Sequence, residues 1–250
     1  MRFLISSLLA ALLITPAMAE PLPEKWQSRR EAMNQLGDKT CAGDEVAYET
    51  LRDGLKNGDP VAMHELRWVY DNCETGETDE WMALASVSYL VTAAEMGYPV
   101  SQSNLGFCQI RGDCDGIAMD QETGLYFVHA AIAGGYGEAA YHLGMRLTED
   151  RYLEPNLELA KLLLNIAKLE GVESSKTDQL DAAWNKAMNG QSLSTKALDL
   201  PVEKQRILFI QVGYQALLEH YYESLYSDSM SMKEWLESQS PETLKALNAD

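Results

Sequence analysis

Basic residues are scarce in this chain, and beyond its first 19 residues no long apolar run occurs. Twenty Lys and Arg stand against 38 Asp and Glu, a net charge of −18. Such a surface disfavours nucleic acid and anionic lipid, which reward clustered Lys and Arg. It suits a partner with a basic surface. The missing apolar run excludes a membrane span after residue 19, since crossing a bilayer takes roughly 20 apolar residues. Catalytic signatures are also lacking. There is no H-E-x-x-H, no G-x-S-x-G, no P-loop, and no glycine fingerprint after a strand-like run. Gly134-Gly135-Tyr136-Gly137 has no Lys or Thr to hold a phosphate. Of the four histidines, His64, His129, His142 and His220, only His129 and His142 with nearby Glu138 approach an acid/base grouping. Their positions inside helical patterns favour structural roles. The acidic run Asp71–Glu80 puts Cys73, Thr75 and Met82 where a calcium loop needs oxygen ligands. The sequence therefore predicts no active site, no cofactor and no metal.

What is present begins with an export signal. Arg2 precedes an apolar stretch from Phe3 to Thr15, Pro16 ends it, and Ala17-Met18-Ala19 offers small residues before a cut. This order predicts a signal peptide over 1–19. At 13 residues the stretch is too short for an anchor. Glu20 rather than Cys follows, which argues against lipidation. The signal implies a periplasmic protein, with 19 basic against 38 acidic residues once Arg2 is removed. Four cysteines in an exported chain, Cys41, Cys73, Cys108 and Cys114, read as two disulfides with three possible pairings. The Cys108-x5-Cys114 spacing does not fit a zinc knuckle.

The remainder repeats. Leu105-Gly106 recurs as Leu143-Gly144, a step of 38, and Leu66-Arg67 lies 39 earlier. Ala93-Ala94-Glu95-Met96-Gly97 aligns with Ala130-Ala131-Ile132-Ala133-Gly134, a step of 37, and with the eroded Ile166–Gly171. Each unit holds two helical patterns. In the second, a helix containing Asn104, Leu105, Cys108 and Gln109 ends near Arg111-Gly112. Asp120 then N-caps a helix to Ala133, closed by Gly134-Gly135. Gly106, Ala130 and Ala131 are small where paired helices approach. A helix pair that cannot bury its apolar face alone buries it on the next pair, which makes a solenoid.

These residues resemble the Sel-1-like repeat family, relatives of tetratricopeptide repeats. Ala140-Tyr141-His142-Leu143-Gly144, then Gly112 to Asp120, then Leu125 to Gly134 carry the three parts of its pattern. The resemblance covers residues 59–171, about three units. In the first unit Arg67 replaces a Gly and the second helix is a turn longer. It implies an all-α fold: a right-handed superhelical solenoid of antiparallel helix pairs with a C-terminal helical cap. The expected organisation is capping helices over 20–58, repeats over 59–171 and a helical region over 172–250.

Helix order then selects the cysteine pairing. Cys41 precedes a helix over Asp44–Lys56, and Asn57-Gly58-Asp59-Pro60 turns the chain into another over Val61–Tyr70. In an antiparallel pair the start of one lies beside the end of the next, predicting Cys41–Cys73, with Cys108–Cys114 joining a helix end to its own turn. Ser174–Asn189 reads as a further helix, Pro201–Tyr226 as a long one, Ser231-Met232-Lys233-Glu234 as a capping box, and Ser240-Pro241 as the start of a last turn.

The resemblance implies protein–protein binding on the concave helices and no enzymatic activity. Sel-1-like proteins include adaptors, envelope regulators, and immunity proteins that neutralise secreted antibacterial effectors such as lipases. Export and acidity favour the last role; an envelope adaptor and an unrecognised hydrolase are the alternatives. Candidate partner contacts are Tyr98, Tyr136, Glu138, Tyr141, Tyr221 and Tyr222.

Overall fold

The structure, a computed structural model, describes residues 24–73, 79–149, 151–190, 193 and 196–227. The signal segment 1–19, the centre of the acidic run, and the helices expected at 231 and 241 lie outside them. Among the described residues every regular element is helical. In chain order these are α1 (Glu24–Cys41), α2 (Glu45–Lys56), α3 (Pro60–Asn72), α4 (Asp79–Glu95), α5 (Pro99–Arg111), α6 (Gln121–Ala133), α7 (Gly137–Arg146), α8 (Leu157–Leu169), α9 (Ser174–Met188), α10 (Val202–Leu208), a π turn (Phe209–Gly213) and α11 (Tyr214–Ser227).

Local chemistry fixes where these helices start. Asp44 Oδ1 accepts the amides of Val46 and Ala47, at 3.0 and 3.1 Å. Asp59 accepts Val61 N ahead of Pro60, whose missing N–H costs nothing in a first turn. Asp120 caps α6 through the amide and hydroxyl of Thr123, and Asn156 caps α8 through Leu159 N.

The helices stack as consecutive pairs: α3 on α4, α5 on α6, α7 on α8, each pair packed on the next. The antiparallel register shows in two equivalent bonds. Asp120 N donates to Gln109 O at 3.0 Å, and Asn156 N to Leu147 O at 2.9 Å, so each second helix starts beside the end of the first. Gly58, Gly97, Gly135 and Gly171 hold φ of 70°, 83°, 81° and 77° and end the preceding helix. In each turn the next amide reaches back five residues, as Tyr98 N does to Ala93 O and Tyr136 N to Ala131 O. This corrects the alignment of the Ala-Ala segments. Gly135, not Gly134 (φ −72°), is the counterpart of Gly97, and the step becomes 38, equal to that of the Leu-Gly pairs.

α4 is longer than α6 and α8, as the sequence suggests. The expected 201–226 helix is interrupted by the π turn. In that turn the Phe209 carbonyl also accepts a hydrogen bond from His129 Nε2 at 3.1 Å. The C-terminal segment also does more than cover the last repeat. α10 packs on α8, while α11 runs back to α6, with the Tyr214 and Tyr126 rings 5.7 Å apart.

Both cysteine pairs are bonded as Cys41–Cys73 and Cys108–Cys114, with Cα–Cα distances of 5.2 and 5.4 Å. The first closes 32 residues and the second 6. Replacing Cys41 and Cys73 together by Ala is expected to lower unfolding free energy by about 3–4 kcal/mol, and losing Cys108–Cys114 by about 2 kcal/mol. Urea titrations of the oxidised proteins check the order.

Candidate functional site

α1 does not stack as a repeat helix. It lies along the edge formed by the starts of α3, α5 and α7. Arg29 pairs with Asp59, the N-cap of α3. Trp26 stacks near Tyr98, the residue before α5, at 5.4 Å between centroids. The Arg30 guanidinium lies over the ring of Tyr136, the residue before α7, at 5.5 Å. One stripe of α1 thus meets three equivalent turns of the stack.

Past that contact a cleft of about 450 Å³ opens. Gln27, Arg30, Glu31, Asn34, Gln35 and Asp38 form the α1 wall, at helical spacing. The other wall is the Gly135–Glu138 turn beside the Glu170–Val172 turn. Glycine brings these turns together: a Cβ on Gly137 would lie 2.7 Å from Glu170 Cβ and 2.9 Å from Val172 Cγ2. The lining holds four carboxylates, Glu31, Asp38, Glu138 and Glu170, and one cation, Arg30. Glu138 receives Lys176 Nζ at 2.8 Å, with His142 Nε2 at 4.0 Å. Glu170 is paired with Arg206 behind the wall. Glu31 and Asp38 are exposed. Burial raises the Tyr136 hydroxyl, opposed by Arg30, so the ring presents a neutral phenol.

The six sequence-predicted contacts do not form one surface. Tyr136 and Glu138 share the cleft. Tyr98 is 0% exposed, sealed under Trp26 and beside His64, and in this structure presents nothing to a partner. Tyr141 is 8% exposed and its hydroxyl donates to Gln179 at 3.2 Å. Both stand at repeat positions that close the core. Tyr221 lines a separate gap of about 50 Å³ between α11 and the segment before α8, and Tyr222 donates to Glu122. The α1 wall was missed. Its signal was the polar stripe at 27, 30, 31, 34, 35 and 38, which sequence reading takes for a solvated face.

The histidines do not combine either. His129 turns to Phe209, and His142 to Phe107, Tyr141 and Glu138. His64 Nδ1 lies 2.9 Å from Ser101 Oγ, a Ser–His contact unnoticed in the sequence. Burial, with Arg67 and Arg30, lowers His64 to about 3. A general base must hold a proton in the transition state, and this ring is held neutral. Ser101 is itself fully buried. Among the described residues no His, Cys, Asp and Glu group has metal-binding geometry, and no helix is long and apolar enough to cross a membrane.

Repeated helix pairs joined by equivalent turns define an α-helical repeat protein. No family model matches the chain, and no curated protein matches it. Among solved structures, a Sel1 repeat protein from Oxalobacter formigenes is similar at 25% identity, over 54% of this chain and 97% of that one, with a TM-score of 0.42.

Proposed function

We propose that this chain is a non-enzymatic binding protein whose partner is a protein bearing a basic segment, received in the cleft between α1 and the turns before α7 and α9. The observation that carries this reading is the cleft lining: the exposed carboxylates of Glu31 and Asp38 beside the Tyr136 ring, in a chain of net charge −18. Complementary charge sets the rate and selectivity of such encounters more than their ultimate affinity. The finer reading is a periplasmic inhibitor or immunity protein. An acidic cleft masks a basic catalytic groove or lipid-binding face, and the export signal and acidity fit a small neutralising protein.

The test begins with the neighbouring gene. Its product, directed to the periplasm, is expected to be toxic, and this chain to relieve the toxicity. Glu31→Lys/Asp38→Lys is expected to weaken that complex at least about tenfold, mainly through slower association, and to flatten its salt dependence. Unchanged association with unchanged salt dependence would remove the cleft as the site. Resident envelope proteins as the bound partners, with no toxic neighbour, would favour an adaptor.

A further inference from the structure

We propose that residues 24–36 of α1 form a strap, anchored at the C-terminal end of the helix, that releases from the edge of the stack as pH rises through the weakly acidic range, with the Glu65 carboxylate as the sensing group. The proposal stands whatever the cleft binds.

The two ends of α1 are held differently. At its C-terminal end, Cys41 is bonded to Cys73 and Thr40 is buried with its hydroxyl on Leu36 O at 2.8 Å. Gly37 packs so closely on α3 that any Cβ there would overlap the Glu65 carboxylate. Towards the N-terminus, Trp26, Arg30 and Met33 are part-buried, while Gln27, Ser28, Arg29, Glu31 and Ala32 are exposed. The strap is polar and its grip is local.

Glu65 sits in the middle of that grip. It is 5% exposed, on the face of α3 that meets α1. The Asn34 amide, turned so that its NH2 faces the acceptors, donates to Glu65 Oε2 and to Arg30 O, each at 3.0 Å. From α1, Arg30 favours the ionised carboxylate and Asp38 opposes it. On α3 itself, His64 is held neutral, by burial first and then by the charges of Arg67 and Arg30. At the start of α5, the Tyr98 phenol is kept protonated by burial. Asp59 is engaged by Arg29. Burial outweighs Arg30 and lifts Glu65 to about 7 from an ordinary 4.5.

The sign follows from proton counting. The closed strap holds a proton on Glu65 that the open strap releases, so closure is strongest below about pH 4.5. It weakens as pH rises towards about 7 and is flat above it. Opening also frees the Tyr98 hydroxyl, which is buried with no hydrogen-bond partner among the described residues. It uncovers Trp26, Tyr98 and Tyr136 together and removes one wall of the cleft.

Hydrogen exchange of the full chain reads this directly. After correction for intrinsic rates, amides of residues 24–36 are expected to exchange about 10- to 100-fold faster at pH 8 than at pH 5, while those of α5 and α6 keep their protection. In Glu65→Gln the contrast is expected to fall below about twofold. Asp38→Asn, which removes the opposing charge, is expected to move the midpoint to lower pH and serves should the Gln variant fold poorly. Equal protection at both pH values, a contrast that survives Glu65→Gln, an unmoved midpoint in Asp38→Asn, or loss of α5 and α6 protection in step with α1 would each overturn the strap.

Discussion

Gly106→Leu is expected to cost about 3 kcal/mol or more of folding free energy, beyond the usual range for an overpacked core position. A Cβ on Gly106 would stand 2.6 Å from the Gly124 carbonyl oxygen and 2.9 Å from Val128 N. A Cβ on Gly124 would stand 2.7 Å from the Gly106 carbonyl oxygen. Both obstacles are backbone, so relief requires moving α5 off α6 and opening the core around Leu125 and Val128. Gly144, one repeat later, makes the contrast. Its Cβ would meet the tip of Leu180 at 2.7 Å and Leu163 Cβ at 3.5 Å. Leu180 can turn aside, so Gly144→Ala is expected to lose only about 1 kcal/mol. Urea midpoints of the two variants decide the matter. Equal losses would mean that contact between the two backbones does not set the α5–α6 spacing.

The same two glycines show what the sequence made legible. Gly106 stands out because Leu105-Gly106 recurs as Leu143-Gly144, and recurrence exposes a position whose reason is steric. Gly124 does not recur, so its half of the crossing is visible only in space. Arg67, at the corresponding place in the first unit, forms an ion pair with Asp71 at 3.1 Å, and that pair of helices has no glycine crossing of this kind. Helix starts and turns were readable because their chemistry is local: Asp120, read as an N-cap, accepts the Thr123 amide, and Asp44 and Asp59, read only as a helix start and a turn residue, accept amides two residues on. The one-residue slip between Gly134 and Gly135 arose because composition cannot tell which of two glycines takes the positive φ.

The site was less legible for a different reason. α1 is too polar to be drawn into a core by its own pattern, and its placement depends on Arg29, Arg30 and Trp26 meeting residues 30 to 106 positions away. Tyr98 and Tyr136 occupy equivalent turns, yet one is sealed under Trp26 and the other borders an open cleft. That difference comes from where α1 runs, not from either tyrosine's neighbours in sequence.

Behind the cleft, Glu170→Ala is expected to cost about 3–5 kcal/mol, whereas Glu170→Leu combined with Arg206→Met is expected to cost less than either single change. Glu170 and Arg206 are 5% and 3% exposed, and Arg206 Nε donates to Glu170 Oε1. Arg206 Nη1 and Nη2 are buried without hydrogen-bond partners among the described residues. Burial raises the Glu170 carboxyl above its ordinary value even though Arg206 pulls it down. Desolvation therefore outweighs attraction in this pair, the circumstance in which two apolar residues of similar volume do as well. Removing Glu170 alone leaves a guanidinium buried with no counter-charge. Removing Arg206 alone leaves a carboxyl that can take a proton, so Arg206→Met is expected to be the milder single change. A double-mutant cycle read by urea unfolding measures the coupling, expected at about 2 kcal/mol or more. Strictly additive losses would mean that Glu170 and Arg206 are not energetically coupled and that each holds the fold through its own other contacts.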